Sequence, residues 1–530
     1  MKIRNTTFAA LLVAVSVLLA PIYGPQIHAR AAAATADDLE KDMQSVAAAY
    51  ALIEKNFADP VSSERAFYTG AIPGMLHTLD PHSNFVDPAE YKEMQRRQKA
   101  QYFGVGMQIT MDGPKVVVME PFPGSPAANA DLRRGDVISA VDGKDTTGMD
   151  SAAVADRLRG EKGTQVSVSV KREGASEPYT VSVTRGGIET SYVDAFFVKP
   201  GIAYVNVSTF EGQNISKNVE DLLLKMGEQN VTGMILDLRN NLGGLVNEAV
   251  ALAGRFLRNG QTVVSHHGRA ESEQVFRAHA RPLAQNYPIV CLVNGASASA
   301  SEIVSGALQD HDRAWIMGET TFGKGLVQAQ FPLAEGAALL LTIAHYYTPS
   351  GRLIQRDYTN QSFVQYYYGR NKEAAQNLQD VKATDSGRKV YGGGGITPDE
   401  KYPSSRTNLF QRRLVPIPGA PDAFYRFAAT YFKADKPVLS DGWLPDEATM
   451  ERFKSYLKDQ QVTFTDADFA ANRNWVRDHI RWEFYFRAFG KNAAERAKWA
   501  TDPEVLKSIE SLPKAQTLLS AAQKMYAMRQ

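Results

Sequence analysis

Three serines at alternate positions, Ser297, Ser299 and Ser301, stand in a run of small residues that follows the apolar stretch Ile289–Val293 and leads into Glu302, Ile303 and Val304. Small residues between a buried strand and a helix permit a sharp turn. A serine on such a turn lies over the helix N-terminus, where backbone donors and the positive dipole end favour an oxyanion. Close packing and helix capping select the same residue types, so this segment alone supports a nucleophile and an N-cap equally. Asp237-Leu238-Arg239-Asn240-Asn241-Leu242-Gly243-Gly244 closes another apolar stretch with a glycine pair, which can bring bare N–H groups into a cleft as oxyanion donors. Thr321-Phe322-Gly323-Lys324-Gly325-Leu326-Val327-Gln328 sets a lysine between two glycines with a glutamine four residues on. Lysine acts as a general base only when burial lowers its pKa enough to leave it neutral, and flanking glycines allow the close approach that buries it. The three segments together offer acyl transfer.

Other chemistries find less support. The single cysteine, Cys291, excludes an intramolecular disulfide and a cysteine-built zinc site. Nine histidines include no His-Glu-x-x-His run, and His266 and His267 are adjacent, so no metal and no cofactor is expected. Asp80-Pro81-His82-Ser83 reads as a turn opened by Asp-Pro with solvated side chains rather than a triad or metal fragment. A Ser-His-Asp triad through His311 or His345 is disfavoured because Asp310-His311-Asp312 looks like a polar helix end. Fifty-nine Lys and Arg against fifty-eight Asp and Glu give a net charge of +1, without the basic excess that a nucleic-acid surface needs.

The 530 residues, 44% of them hydrophobic, are enough for several domains. Residues 1–31 have the order of a signal peptide: Lys2 and Arg4, a short apolar run over 8–20, then Ala29-Arg30-Ala31. Export, with a periplasmic location, is therefore expected; an uncleaved membrane anchor is the alternative. Residues 37–100 read as an N-terminal helical region, with Leu39, Met43, Val46, Ala47 and Tyr50 at helical spacing. Residues 101–185 read as a β-rich module with Val116, Val117 and Val118 in one strand, Val166, Val168 and Val170 in another, and a helix over 151–158. Residues 186–400 alternate strand and helix, which predicts an α/β core with a largely parallel sheet and a site at the strand ends. Its expected strands are 202–207, 234–238, 289–293, 315–317 and 339–343. Residues 401–530 read as a C-terminal helical appendage, including 475–489 and 503–528.

Phe103-Gly104-Val105-Gly106, then Gly124-Ser125-Pro126-Ala127, Leu132-Arg133-Arg134-Gly135-Asp136-Val137-Ile138 and Val141-Asp142-Gly143, make the β-rich module resemble a PDZ domain. In that reading, backbone N–H groups at Phe103, Gly104, Val105 and Gly106 receive a peptide's terminal carboxylate, and an edge strand accepts the peptide. With the three segments above, and Tyr346-Tyr347-Thr348-Pro349-Ser350-Gly351-Arg352 after them, the chain over 37–399 resembles the carboxyl-terminal processing, or tail-specific, serine proteases. The resemblance implies a fold like that of the ClpP and crotonase proteins and a Ser/Lys dyad, with Ser299 as nucleophile, Lys324 as base and Gln328 orienting the lysine. It places the oxyanion hole at Ala300 with Gly243 and Gly244, and a regulatory arginine at Arg159 that couples the PDZ domain to the active site. Leu242 stands where proline is common in the family, and Ala296 where glycine or another small residue is usual. The implied partners are protein substrates with free C-terminal tails; an adaptor protein, a homo-oligomer and peripheral membrane association are compatible with it. The competing readings are a catalytically inactive PDZ adaptor and an acyl-CoA enzyme of crotonase-like fold.

Overall fold

The computed structural model describes residues 36–98, 101–189, 192–279, 286–359, 361, 363–368, 377–417, 419–435, 437–440 and 442–529. The expected signal peptide, 1–31, lies outside the described residues, among which no helix is long and apolar enough to cross a membrane. Among the described residues, the N-terminal region includes helix α1 (Ala36–Asn56), strand β1 (Asn84–Val86) and helix α2 (Pro88–Gln98). The helical expectation for 37–100 misses β1, whose three residues carry no readable period and owe their extended form to antiparallel pairing with 338–340.

The β-rich module is built on an antiparallel sheet with the strand order β2 (Met107–Asp112), β3 (Lys115–Pro121), β4 (Val137–Val141), β5 (Gln165–Lys171), β6 (Tyr179–Thr184), with Lys144–Asp145 pairing β4 off this path and helix α3 (Ser151–Leu158) packed on it. Val166, Val168 and Val170 of β5 are buried alternately against Val154 and Leu158 of α3, as period-two patterning requires. Strand β2 lies at the sheet edge.

Beyond it come β7 (Val193–Lys199), β8 (Ile202–Val207), α4 (Ile215–Met226), β9 (Gly233–Asp237), α5 (Val246–Phe256), β10 (Thr262–His267), β11 (Ile289–Val293), α6 (Ala300–Asp310), β12 (Trp315–Gly318), β13 (Leu326–Pro332), β14 (Ala338–Tyr347), α7 (Phe363–Tyr368) and β15 (Glu400–Lys401). The C-terminal helices include α8 (Arg473–Phe489) and α9 (Pro503–Arg529). Strands β7, β8, β9, β11, β12 and β15 lie side by side in that order; β7 is antiparallel and the other pairings are parallel. Residues 339–343, expected with this core, belong instead to β14 in a second, antiparallel sheet with β1, β10 and β13. An apolar run specifies a strand but not its neighbours.

Alternate residues of the parallel strands face opposite layers. Met234, Leu236, Ile289, Cys291 and Val293 pack with α4, α5 and α6, whereas Tyr204, Ile235, Val290, Leu292 and Met317 pack with Val505, Leu512 and Ala515 of α9. Without α9, Ile235, Val290, Leu292 and Met317 would lose their cover at about 2 kcal/mol each, while Tyr204 stacks on Trp499, outside that helix. The last helix of the expected appendage is therefore part of the core. The β-rich module also docks on the C-terminal helices: the Arg134 guanidinium donates to both carboxylate oxygens of Glu483 on α8, at 2.9 and 2.7 Å, and lies over the Phe486 ring.

Candidate active site

Three neighbouring parallel strands, β9, β11 and β12, deliver three loops to one edge of the sheet. The loop after β9 carries Gly243 and Gly244, the loop after β11 carries Ser299, and the loop after β12 carries Lys324. Ser299, Lys324, Gln328, Leu242, Gly243 and Gly244 line one cleft of about 750 Å³.

Ser299 caps the N-terminus of α6 with φ 55° and ψ −113°. A non-glycine residue in such a conformation costs about 1–3 kcal/mol and persists only when its surroundings hold it there. The other two serines of the run are turned inward. The Ser297 hydroxyl donates to the Leu238 carbonyl at 2.8 Å and accepts from the Asn294 N–H, and the Ser301 hydroxyl donates to the Asn241 carbonyl at 2.9 Å. Both are buried, so Ser299 alone of the three lines the cleft.

The glycine pair closes on this turn. A Cβ on Gly243 would lie 2.8 Å from the Ser299 Cβ, and one on Gly244, at φ 146°, would lie 2.0 Å from the Phe210 carbonyl carbon. Only glycine fits at either place. The Gly243 N–H donates to the Asn241 side-chain oxygen at 2.9 Å. This leaves the N–H groups of Gly244 and Ala300 without an acceptor among the described residues. Of the three residues expected at the oxyanion hole, Gly243 thus has its donor committed elsewhere, to an asparagine side chain two residues back.

Lys324 is largely buried, and that burial lowers its pKa; the carboxylates of Asp80 and Glu302 act in the opposite sense. Its Nζ donates to Gln328 Oε1 at 2.8 Å, and Gln328 Nε2 donates to the His82 carbonyl at 2.6 Å. Burial and the nearby Lys324 hold the His82 ring down to a pKa of about 3, so it is neutral in ordinary buffers.

Sequence reasoning missed three contributors. Glu302, fully buried, accepts from the Ser299 N–H, the Thr321 hydroxyl, the Gly323 N–H and the Lys324 N–H, at 2.8, 2.5, 2.6 and 2.9 Å. One carboxylate therefore ties the serine turn to the lysine loop. Burial raises its pKa and these donors oppose the rise; with four donors converging, the ionised form satisfies them all. The Tyr346 hydroxyl lies between the same two loops, its one proton shared by the carbonyls of Ser299 and Lys324. The third contributor is the turn at 80–83. Its side chains were expected in solvent, yet Asp80 and Ser83 are buried. Packing against β14 and α7, distant in sequence, is what removes them from water. A serine three residues ahead of a glutamate was the one available sign of Glu302, and it reads equally as a capping box.

In the PDZ-like module, Phe103 and Gly104 lie on a strand, Gln101–Gly104, that pairs with Gly186–Glu189. Val105 and Gly106 lead into the edge strand β2, their carbonyls turned inward to the Ala127 and Phe122 N–H groups and the Ser125 hydroxyl. Arg159, at the C-cap of α3, forms an ion pair with Asp156 at 2.7 Å. His311 lies at the far end of α6, about 18 Å of helix from Ser299, where its ring meets Asp385 and the Thr262 carbonyl. It cannot serve as a triad base. His345 faces His267 across the β10–β14 pair. Among the described residues no three His, Cys, Asp or Glu side chains are grouped to hold a metal ion.

Residues 201–362 match peptidase family S41, residues 117–172 the PDZ domain, and residues 24–90 the activating protease CtpB N-terminal domain. The chain is 38% identical over 299 residues to the carboxy-terminal-processing protease of Bartonella bacilliformis, covering 56% of this chain and 68% of that one. To the carboxyl-terminal-processing protease of Synechocystis it is 39% identical over 56% of this chain and 70% of the relative. To that of Picosynechococcus it is 36% identical over 63% and 83%.

Proposed function

This chain belongs to the carboxyl-terminal processing proteases, serine peptidases of family S41, here with a PDZ domain, and from that membership we propose that it cleaves peptide bonds with a Ser299/Lys324 dyad. The observation that carries the reading is the Lys324 amine, buried and held by Gln328, in the cleft that exposes Ser299 at the N-terminus of α6. Neutral Lys324 takes the Ser299 hydroxyl proton as the oxygen attacks the scissile carbonyl. The resulting oxyanion is met by the N–H groups of Ala300 and Gly244 and by the positive end of α6. The lysine ammonium then protonates the departing amine, and water, deprotonated by the same lysine, releases the acyl-enzyme as a new C-terminal carboxylate. The buried hydroxyls of Ser297 and Ser301 favour Ser299 over its neighbours as the attacking group.

The edge strand β2 and the loop at 103–106 support recognition of a substrate's free tail by strand addition. Amidating the C-terminus of an unfolded substrate is expected to slow its cleavage, because an uncharged amide gives up the charge-assisted bonds to the loop. Equal rates on free and amidated chains would remove the tail from the recognition step. A tail peptide added in trans should speed cleavage of a tail-less substrate if binding shifts the enzyme toward its active arrangement, and Arg159→Ala should cancel that effect. Turnover lost in Ser299→Ala separates this reading from a binding adaptor, and thioester inertness separates it from an acyl-CoA enzyme. Export to the periplasm, suggested by residues 1–31, places such substrates among envelope proteins.

Helix α1 supports a homo-oligomer. Leu39, Met43, Val46, Tyr50 and Ile53 of α1, with Phe57 just beyond its end, recur at spacings of four and three, the seam of a coiled coil. Leu39, Val46, Ile53 and Phe57 are each more than half exposed in the single chain. A second copy of α1 is the occupant that this strict repeat fits. Leu39→Asp with Ile53→Asp is expected to convert the oligomer to monomer in sedimentation without lowering the core's melting temperature; a monomeric wild type would refute the seam.

A further inference from the structure

The turn at 80–83 is far from the catalytic loops in sequence, yet it touches the general base through one intermediary. Gln328 on β13 donates its Nε2 to the His82 carbonyl at 2.6 Å and accepts from Lys324 Nζ at its Oε1, at 2.8 Å. The two ends of a primary amide have nearly the same shape but opposite hydrogen-bonding character. A carbonyl oxygen at one end therefore decides which end faces the lysine. We propose that the turn at 80–83 is a positioning device for the general base: by presenting the His82 carbonyl to Gln328 it fixes the amide oxygen toward Lys324 and leaves the amine's lone pair for the Ser299 hydroxyl. The inference rests on the dyad reading above.

The carbonyl is held from several directions. The two ring nitrogens of His82 meet the Tyr366 hydroxyl at 2.9 Å and the Tyr367 hydroxyl at 2.8 Å, both from α7. The His82 and Ser83 N–H groups donate to Asp80 Oδ1, each at 2.7 Å. The Ser83 hydroxyl donates to Asp80 Oδ2 at 2.6 Å and accepts from the Thr342 N–H of β14 at 3.1 Å. Burial works to raise the Asp80 pKa, but the Ser83 hydroxyl and the two N–H groups outweigh it and hold the carboxyl below its ordinary value. The Asp80 carboxylate that organises the turn is thus kept charged. The His82 ring stays neutral at working pH, one nitrogen bearing a proton and the other a lone pair, so its contribution is geometric rather than a charge. If the amide were reversed, its NH₂ would face Nζ and compete with the serine for the lone pair.

His82→Phe keeps an aromatic ring in this place and removes both bonds to the tyrosine hydroxyls. It is expected to lower kcat by about tenfold to a hundredfold with KM nearly unchanged, as a small misplacement of a reacting group does. His82→Phe combined with Gln328→Ala should be no slower than Gln328→Ala alone, because both act through one amide. The pH profile supplies a readout that loosened packing would move the other way. Lys324 faces the carboxylates of Asp80 and Glu302 and the His82 ring. A freed amide that turns its NH₂ toward Nζ favours the uncharged amine, so the ascending limb moves to lower pH; water entering a loosened site lessens burial and moves it to higher pH. Should His82→Phe fail to fold, Tyr367→Phe takes its place in the same cycle with a smaller loss. Losses that multiply in the cycle, or a limb that moves to higher pH, overturn the inference. If Ser299→Ala retains activity, the dyad itself fails; if the dyad variants are dead and the cycle is multiplicative, only the positioning role fails.

Discussion

Ser299→Ala is expected to lower kcat/KM on an unfolded protein by at least about 10⁴-fold with the fold intact, and Lys324→Ala by a similar factor. In the proposed dyad the two side chains act as one proton-transfer unit, so the double variant should be no worse than either single one. Lys324→Arg should be equally inactive, since a guanidinium stays protonated at any working pH and cannot accept the serine proton. The neighbours provide the control. Ser297→Ala leaves the Asn294 N–H without its acceptor inside the protein and is expected to cost about 1–3 kcal/mol of stability rather than turnover. A dead Ser297→Ala beside an active Ser299→Ala would reverse the assignment. The pH dependence follows from the same lysine. Burial depresses its pKa and the proposed base works unprotonated, so activity should climb as pH rises through that pKa and then hold. Neither His82, neutral above a pKa of about 3, nor His311, at the far end of α6, should add an imidazole limb near about 6.5.

The fold and the site were legible to different depths for a physical reason. Strands 202–207 and 289–293 and the helix over 151–158 were readable because burial on both faces, or on one stripe, writes itself into local spacing. Family membership was readable because glycines and small residues at strand ends are demanded by close approach, as the 2.0 Å clash awaiting any Cβ on Gly244 shows. Partnerships between segments were not readable. No local pattern says that β14 leaves the parallel sheet, that Val505 and Leu512 cover the opposite face, or that Asp80 is buried. The Gly243 N–H, free for an oxyanion on composition alone, donates to Asn241, a contact within one loop that depends on the loop's path rather than its composition. Polar burial is the least legible feature of all, since whether a carboxylate meets water or four donors is decided by chain that lies elsewhere in the sequence.

Glu302 makes that point testable, and its removal is the second large effect expected. The side chain is fully buried and receives N–H groups from Ser299, Gly323 and Lys324 and the hydroxyl of Thr321, so a single carboxylate fixes the backbone at both members of the proposed dyad. Glu302→Ala would leave these donors unsatisfied in a water-poor site, at about 1–3 kcal/mol for each that finds no new acceptor. Glu302→Gln is the sharper variant, because it preserves shape and volume. Its amide oxygen can still accept from one pair of donors, but its NH₂ group must then confront the other pair. If the oxygen stays with Ser299 and Lys324, the NH₂ meets Thr321 and Gly323; if it turns over, the NH₂ meets the Ser299 and Lys324 N–H groups themselves. Either outcome displaces one loop relative to the other. The Ser299 conformation at φ 55° is costly unless held, and the Glu302 carboxylate is one of the groups that hold it. Glu302→Gln should therefore lower kcat/KM by about a hundredfold or more and lower the melting temperature as well. The loss should fall on kcat rather than on tail affinity, since the PDZ module lies outside the network. A variant that melts early yet turns over at the wild-type rate would show that the carboxylate supports the fold without setting the geometry of Ser299 and Lys324.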